Sequence, residues 1–205
     1  MDEYNTMTTT ATQASESAIQ RCSWCSNDPL YQHYHDHEWG KPSHDRQQLF
    51  EMLCLEGQQA GLSWITVLKK RDCYRQCFFD FLPEKVAQLS EAEINQYLQN
   101  PGLIRHAGKL NAIVANAQAW LAMEQNGIDM VEWLWSFVNA KLQPQALQNY
   151  TQNPVQIAAS LAMSKALKKA GFKFVGSTTC YAFMQAAGLV NDHDAGCSSR
   201  LLATH

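Results

Sequence analysis

The sequence predicts an all-α domain, and three observations carry that prediction. Apolar residues recur at helical spacing in several runs, most clearly from His106 to Gln125. Runs of alternating β-branched residues, the mark of strands, are lacking. Cysteine and histidine gather near both ends of the chain, a pattern that suits a metal tying the termini together.

The length of 205 residues fits one large domain or two small ones, and 46% hydrophobic residues supply a substantial core. No apolar run approaches the ~18 residues that a membrane span needs. Residues 1–20 are rich in Thr, Ser, Ala and Gln, and they lack both Lys and Arg and the apolar core of a secretory signal. They read as a disordered leader. The seven cysteines are odd in number and irregular in spacing, unlike a secreted disulfide framework. The expected setting is a reducing cytoplasm with some thiols on a metal.

Net charge is -3, which by itself argues against a nucleic-acid partner. The distribution argues the other way. Asp2, Glu3 and Glu16 account for the excess, and Trp133 to Asn191 holds no acidic residue but five lysines: Lys141, Lys165, Lys168, Lys169 and Lys173. Lys69, Lys70, Arg71 and Arg75 form a second basic cluster, opposed in sequence only by Asp72. A near-neutral domain with one basic segment can hold a polyanion on that face.

The elements follow in order. Residues 21–44 are dense in Cys, His and aromatics and mostly irregular, with a short helix around Leu30 to His37 after the Asn27-Asp28-Pro29 turn. Asp45 caps the next helix, whose stripe is Leu49, Phe50, Leu53 and Cys54. Leu55 to Trp64, LEGQQAGLSW, then reads as helix, tight loop and helix, with Gly57 and Gly61 bracketing the loop and a second helical run from Trp64 to Lys70. Ser90 and Glu93 form a capping box for a helix ending before Asn100-Pro101-Gly102. The His106–Gln125 helix ends ahead of Gly127, and another runs from about Met130 to Val138. Pro144 and Pro154 mark a loop-rich connection. Two last helices, 161–170 and 177–187, are joined by GFKFVG.

Three groupings carry chemistry. Glu56 beside Trp64 suits a flat cationic ligand, through charge pairing and cation–π attraction. Trp24, Tyr34 and Trp39 extend the aromatic set; a pocket that stacks a base needs about two such rings, and Trp39 fits the core. Cys22, His35, His193 and Cys197 satisfy tetrahedral Zn²⁺, although Cys25, His33 and His37 lie close enough in sequence to leave the choice of ligands open. The hairpin between Gly171 and Gly176, with Lys168, Lys169 and Lys173 around it, offers backbone N–H groups and positive charge to phosphate. A plain helical hairpin with solvated lysines gives the same pattern.

Taken together, RCSW, DPLYQHYHDHEWG, LFEMLCLEGQQAGLSWITVLKKR, IRHAGK, WSFVN, SKALKKAGFKFVG and GLVNDH resemble the 3-methyladenine DNA glycosylase I family of the helix-hairpin-helix glycosylase superfamily. The resemblance spans roughly residues 21–197. It implies a two-lobed helical glycosylase domain over 21–197, with the helix-hairpin-helix at about 161–187, after the leader 1–20 and before a short tail, 198–205. It implies one structural Zn²⁺ per chain, held by Cys22, His35, His193 and Cys197, joining the terminal segments. It places Glu56 as the catalytic-site carboxylate that reads the base, with Tyr34, Trp64 and Trp24 around the flipped base. Gly61 and Leu62 would enter the gap left in DNA, and Lys168, Lys169, Gly171, Lys173 and Gly176 would hold phosphates. The implied partner is double-stranded alkylated DNA, the product free 3-methyladenine, and the protein a monomer with no membrane association.

Superfamily lyases carry a Lys just after the hairpin; Ser177-Thr178-Thr179 stands here, so a monofunctional enzyme without lyase activity is expected. Asp192 lies in the general region of a superfamily catalytic Asp, but it adjoins His193, which favours a supporting role. The rival reading is a non-catalytic, zinc-stabilised helical DNA-binding protein. Glu56 with the aromatics distinguishes the two; the basic hairpin does not.

Overall fold

The computed structural model describes residues 19–138 and 154–200. Residues 1–18 of the expected leader, Lys141, Pro144 and residues 201–205 of the expected tail lie outside it. Among the described residues there is no strand. Ten α-helices follow in order: α1 Pro29–His37, α2 Arg46–Gln59, α3 Trp64–Leu68, α4 Arg71–Cys77, α5 Pro83–Val86, α6 Glu91–Tyr97, α7 Ala107–Gln125, α8 Met130–Trp135, α9 Ala158–Lys169 and α10 Ser177–Ala186.

The capping signals act where the sequence puts them. Asp45 accepts from Gln48 at the start of α2, and Asp28, read from the sequence as part of a turn, also caps α1 by accepting from the Leu30 amide. Ser90 and Glu93 complete the capping box of α6. Each such cap contributes ~1 kcal/mol by satisfying amides that lack an intrahelical partner. His106 caps α7 through its ring, accepting from the Lys109 amide at 3.2 Å.

The main core forms where α2, α7 and α10 meet, around Leu49, Phe50, Leu53, Trp120, Phe172 and Phe183, all buried. Arg46 at the start of α2 reaches Glu124 near the end of α7, and the same carboxylate accepts from the Trp120 indole at 2.8 Å. A smaller cluster joins the two chain ends: Cys22, Tyr34, Trp39, Leu68, Ala186 and Cys197. The Ser198 amide donates to the Gln20 carbonyl at 2.8 Å and the Arg200 carbonyl accepts from Asn191 at 2.9 Å, so contacts reach beyond 21–197 on both sides.

Two sequence expectations change. First, α2 does not stop at Glu56; it runs through Gly57 to Gln59. Gly57 is therefore a helical glycine, and its cause is close packing. A Cβ there would lie 3.2 Å from the Phe174 Cβ and 3.3 Å from the Phe174 carbonyl oxygen, in the turn after α9. The true loop is Ala60 to Ser63, and Gly61 takes a φ of 76° there. Second, the basic cluster on α3 and α4 is not a free face. Arg71 pairs with Glu38, Arg75 with Glu51 and Lys69 with Asp28, all partners distant in sequence.

Candidate active site

Two cavities meet at the end of α2. One, of about 300 Å³, is walled by Trp24, Tyr31, Tyr34, Trp39 and Trp64, with Glu56, Gln59 and Gln185 among its polar residues. The other is a more open cleft of about 490 Å³ between the Ala60–Leu62 loop, Pro154-Val155 and the start of α10, including Thr178 and Thr179. Glu56, Gln59, Ala182 and Gln185 line both, so they mark the seam between an aromatic pocket and a groove open to a larger ligand.

The pocket stands on a rigid floor. The Lys109 ammonium, at the first turn of α7, donates to the carbonyls of Gln58 at 2.8 Å and Ala60 at 2.7 Å. It caps the C-terminus of α2, where unpaired carbonyls and the helix dipole favour a cation. Gln58 donates in turn to the Lys109 carbonyl and accepts from the Tyr74 hydroxyl. These bonds fix the exit of α2, and so the loop that carries Gly61 and Leu62. Leu62 stays 42% exposed, an apolar tip presented to the open cleft. Nothing within IRHAGK marks Lys109 for this role. Its signal, a lysine in the first turn of a helix, usually marks a solvated surface.

Glu56 is the unusual group. It is buried at 5% exposure, and burial pushes its carboxyl up to about 8. No salt bridge offsets that burial among the described residues. A carboxyl held neutral in an aromatic pocket is poised to ionise when a cation arrives. Tyr34 and Trp64 face it with ring centroids 5.4 Å apart, and the Trp64 indole N–H is buried without a partner among the described residues. Glu56, Tyr34, Trp64 and Trp24 are thus brought to one pocket. Trp39, expected in the core, is buried and also forms part of the wall.

Cys22, His35, His193 and Cys197 also come together, all four buried, with ligand atoms within 4.8 Å of one another. His193 Nδ1 lies 3.4 Å from Cys22 Sγ and 3.5 Å from Cys197 Sγ, and His35 Nε2 lies 3.4 Å from Cys197 Sγ. Bonds of about 2.3 Å to sulfur and 2.0–2.1 Å to nitrogen at tetrahedral angles give edges of about 3.5 Å, so the group fits a tetrahedral metal. The two thiols divide one proton: hydrogen bonding to Cys197 raises Cys22, and the same bond lowers Cys197. Asp36 holds His35 at Nδ1, 2.9 Å away, leaving Nε2 for the ligand position. Cys25, His33 and His37 are not part of this group.

The last helices form a tight pair. Asn116 of α7 grips the turn between them, accepting from the Lys173 amide at 2.7 Å and donating to its carbonyl at 3.2 Å. Gly171, with φ 101°, ends α9, and Gly176 caps α10. Lys168, Lys169 and Lys173 are exposed and make no ion pair among the described residues, unlike the cations of α3 and α4. The residues missed entirely in the sequence are Gln185, Tyr181 and Asn116. A Gln or Asn inside a helix carries no spacing signal.

Comparison with known proteins gives one answer. The methyladenine glycosylase family model matches residues 24–200. The chain is 58% identical to DNA-3-methyladenine glycosylase 1 of Escherichia coli (strain K12), over 87% of this chain and 96% of that protein. A crystal structure of 3-methyladenine DNA glycosylase I superposes with a TM-score of 0.86 at 58% identity, covering 87% of this chain and 98% of that one. A single-residue variant of a 3-methyladenine DNA glycosylase I in complex with 3-methyladenine superposes with a TM-score of 0.84 at 40% identity, covering 88% and 97%.

Proposed function

The chain belongs to the methyladenine glycosylase family, and on that premise we propose how its residues divide the work of removing 3-methyladenine from alkylated DNA. It is a base-excision repair glycosylase that hydrolyses the N-glycosyl bond. The observation that carries the reading of the site is Glu56: a buried carboxyl, with no ion-pair partner among the described residues, in an aromatic pocket that opens on a cleft.

While attached to the sugar, 3-methyladenine carries a formal positive charge. Its bond is already weakened, and departure neutralises the base, so no group needs to protonate it. The protein must extrude the nucleotide, at a cost of a few kcal/mol that is least for a damaged base, and hold it. Glu56 ionises against the cation and accepts from the exocyclic amine, while Tyr34, Trp64 and Trp24 enclose the ring. Leu62, on the turn made by Gly61, fills the space the nucleotide leaves. Lys168, Lys169 and Lys173, with the amide of Gly176, grip the phosphates through a helix-hairpin-helix made by α9 and α10; the Gly171 amide donates to the Lys168 carbonyl at 3.1 Å, so Gly171 serves by shaping the turn. Ser177-Thr178-Thr179, which stand after the hairpin where superfamily lyases carry a Lys, support hydrolysis without Schiff-base lyase chemistry.

Zn²⁺ bound by Cys22, His35, His193 and Cys197 is structural in this reading: it joins the first and last segments of the 21–197 domain. None of the seven cysteines forms a disulfide, which supports a reducing, cytoplasmic setting, and no helix among the described residues is long and apolar enough to cross a membrane. We assign a single chain as the working unit, with the leader and tail outside the catalytic domain.

The direct test is release of free 3-methyladenine from methylated duplex by the purified protein, with borohydride trapping in parallel. Base release with no trapped adduct is expected. Absence of release would favour the binding-protein reading, and a trapped adduct would overturn the monofunctional assignment.

A further inference from the structure

Gln185, on the last turn of α10, is buried at 4% exposure yet lines both the aromatic pocket and the cleft. Its Nε2 donates to Asp192 Oδ2 at 2.8 Å. The Tyr181 hydroxyl donates to the same oxygen. A carboxylate only accepts, so Asp192 decides which way the Gln185 amide points. The NH₂ end faces Asp192, and the carbonyl oxygen, Oε1, is left with no donor among the described residues. Asp192 itself is buried at 5% exposure, and its Oδ1 has no hydrogen-bond partner among the described residues. A buried carboxylate with an orphaned oxygen is costly, and packing alone does not account for keeping one there.

The place of that carbonyl is as informative as its orientation. Glu56 and Gln185 come from α2 and α10 and line both cavities. A base in the pocket and its sugar in the cleft would be joined across this seam, at the bond to be broken. Water attacking the sugar carbon must arrive there too. We propose that Gln185 is a catalytic residue whose Oε1 holds the attacking water, and that Asp192 is the positioning residue that turns the amide carbonyl toward it.

The inference rests on the glycosylase reading and adds to it the group that the water meets. In the step itself the C1′–N bond breaks and its electron pair passes to the cationic ring, which leaves neutral. The water oxygen bonds to C1′, and the surplus proton passes to solvent. Gln185 accepts a hydrogen bond from the water and takes no proton. Glu56 then needs only to read the base.

The experiment measures single-turnover excision from methylated duplex at saturating protein, and equilibrium binding of free 3-methyladenine, for wild type, Gln185→Ala, Asp192→Asn and the double variant. Misplacing a reacting group by about 1 Å can cost about 100-fold. Gln185→Ala should lose about that factor in excision while binding the free base within twofold of wild type. Asp192→Asn offers an NH₂ of its own, lets the Gln185 amide turn round, and should lose about tenfold. The double variant should be no slower than Gln185→Ala, because Asp192 acts only through Gln185.

Excision by Gln185→Ala within threefold of wild type would overturn the proposal. So would a parallel loss of free-base affinity, which would make Gln185 a base reader. An Asp192→Asn defect that persists in the Gln185→Ala background would make Asp192 structural and remove its positioning role. If Asp192→Asn fails to fold or loses metal beside His193, Gln185→Ala decides the catalytic role alone. Wild type that neither binds nor releases 3-methyladenine would overturn the underlying glycosylase reading, a result distinct from all of these.

Discussion

Trp39 meets His193 edge-on, with ring centroids 4.6 Å apart and planes at 86°. Trp24 lies 4.9 Å from Trp39 and 5.3 Å from His35 by the same measure. The aromatic wall of the pocket is therefore packed directly on two of the four metal-site residues. Trp24 and Trp39 thus stand between the metal site and the pocket that Glu56 and Trp64 line.

That contact gives the first prediction. A metal joining Cys22 to Cys197 closes nearly the whole described chain, and a crosslink of that span contributes about 4–5 kcal/mol in the chain-entropy picture. At about 2–4 °C per kcal/mol for a domain of this size, Cys197→Ser should lower Tm by roughly 10–15 °C. Zinc content should fall with it, and so should affinity for free 3-methyladenine, because the Trp24–Trp39 wall loses its backing. Metal analysis, thermal melting and base titration on one preparation check this. A folded wild type without zinc would end the idea of a structural zinc.

A second prediction concerns the hairpin. Each phosphate contact made by Lys168, Lys169 or Lys173 should reduce the log–log salt slope of duplex binding by about 0.9 when the lysine is replaced by Ala. Damaged and undamaged duplex should weaken alike, since phosphate contacts carry no base information. Fluorescence anisotropy across a salt series measures the slope. An unchanged slope in the triple variant would put the DNA on another face.

These same residues show what sequence could and could not convey. Local signals translated directly: Asp45, Ser90 with Glu93, Gly127 and Gly171 all mark helix ends, because caps depend on chemistry within three or four residues. For the metal group, residue type and spacing left Cys25, His33 and His37 open beside Cys22, His35, His193 and Cys197; the family resemblance implied the four that the fold brings together. Long-range partners were not. Arg71 and Arg75 looked like a basic face until Glu38 and Glu51 came alongside. Gly57 looked like a loop glycine because nothing in its neighbourhood announces Phe174, more than a hundred residues on. Gln185 was silent because its meaning lies in which end of its amide Asp192 takes.

A third prediction follows from burial of Glu56. Its carboxyl rises from 4.5 to about 8 in the folded state. Between those values the native protein binds more protons than the unfolded chain, so stability falls as pH rises through that window. At 1.36 kcal/mol per unit the loss reaches at most about 4–5 kcal/mol. Glu56→Gln, which cannot ionise, should be more stable than wild type at pH 8 and nearly equal to it at pH 5. Urea midpoints across pH measure both. Equal pH profiles for the two proteins would show that Glu56 keeps its proton in no unusual way.

The last prediction ties that proton to recognition. Gln keeps the shape of Glu56 but loses its charge and turns one acceptor into a donor. A lost charged hydrogen bond costs roughly 1.5–3 kcal/mol, so Glu56→Gln should bind 3-methyladenine about 10- to 150-fold more weakly. Binding to abasic-site DNA, which presents no base, should survive. A permanently cationic analogue, 3,9-dimethyladeninium, separates charge from shape. Below about 8 Glu56 must first release its proton to meet the cation. Wild-type affinity for the analogue should therefore rise about tenfold per pH unit up to that value and then level off. Glu56→Gln should bind it weakly with no such slope. A carboxylate that only activated water would leave both affinities intact and slow excision alone. Undiminished binding of the free base by Glu56→Gln, or a flat wild-type profile for the cation, would therefore remove Glu56 from base reading.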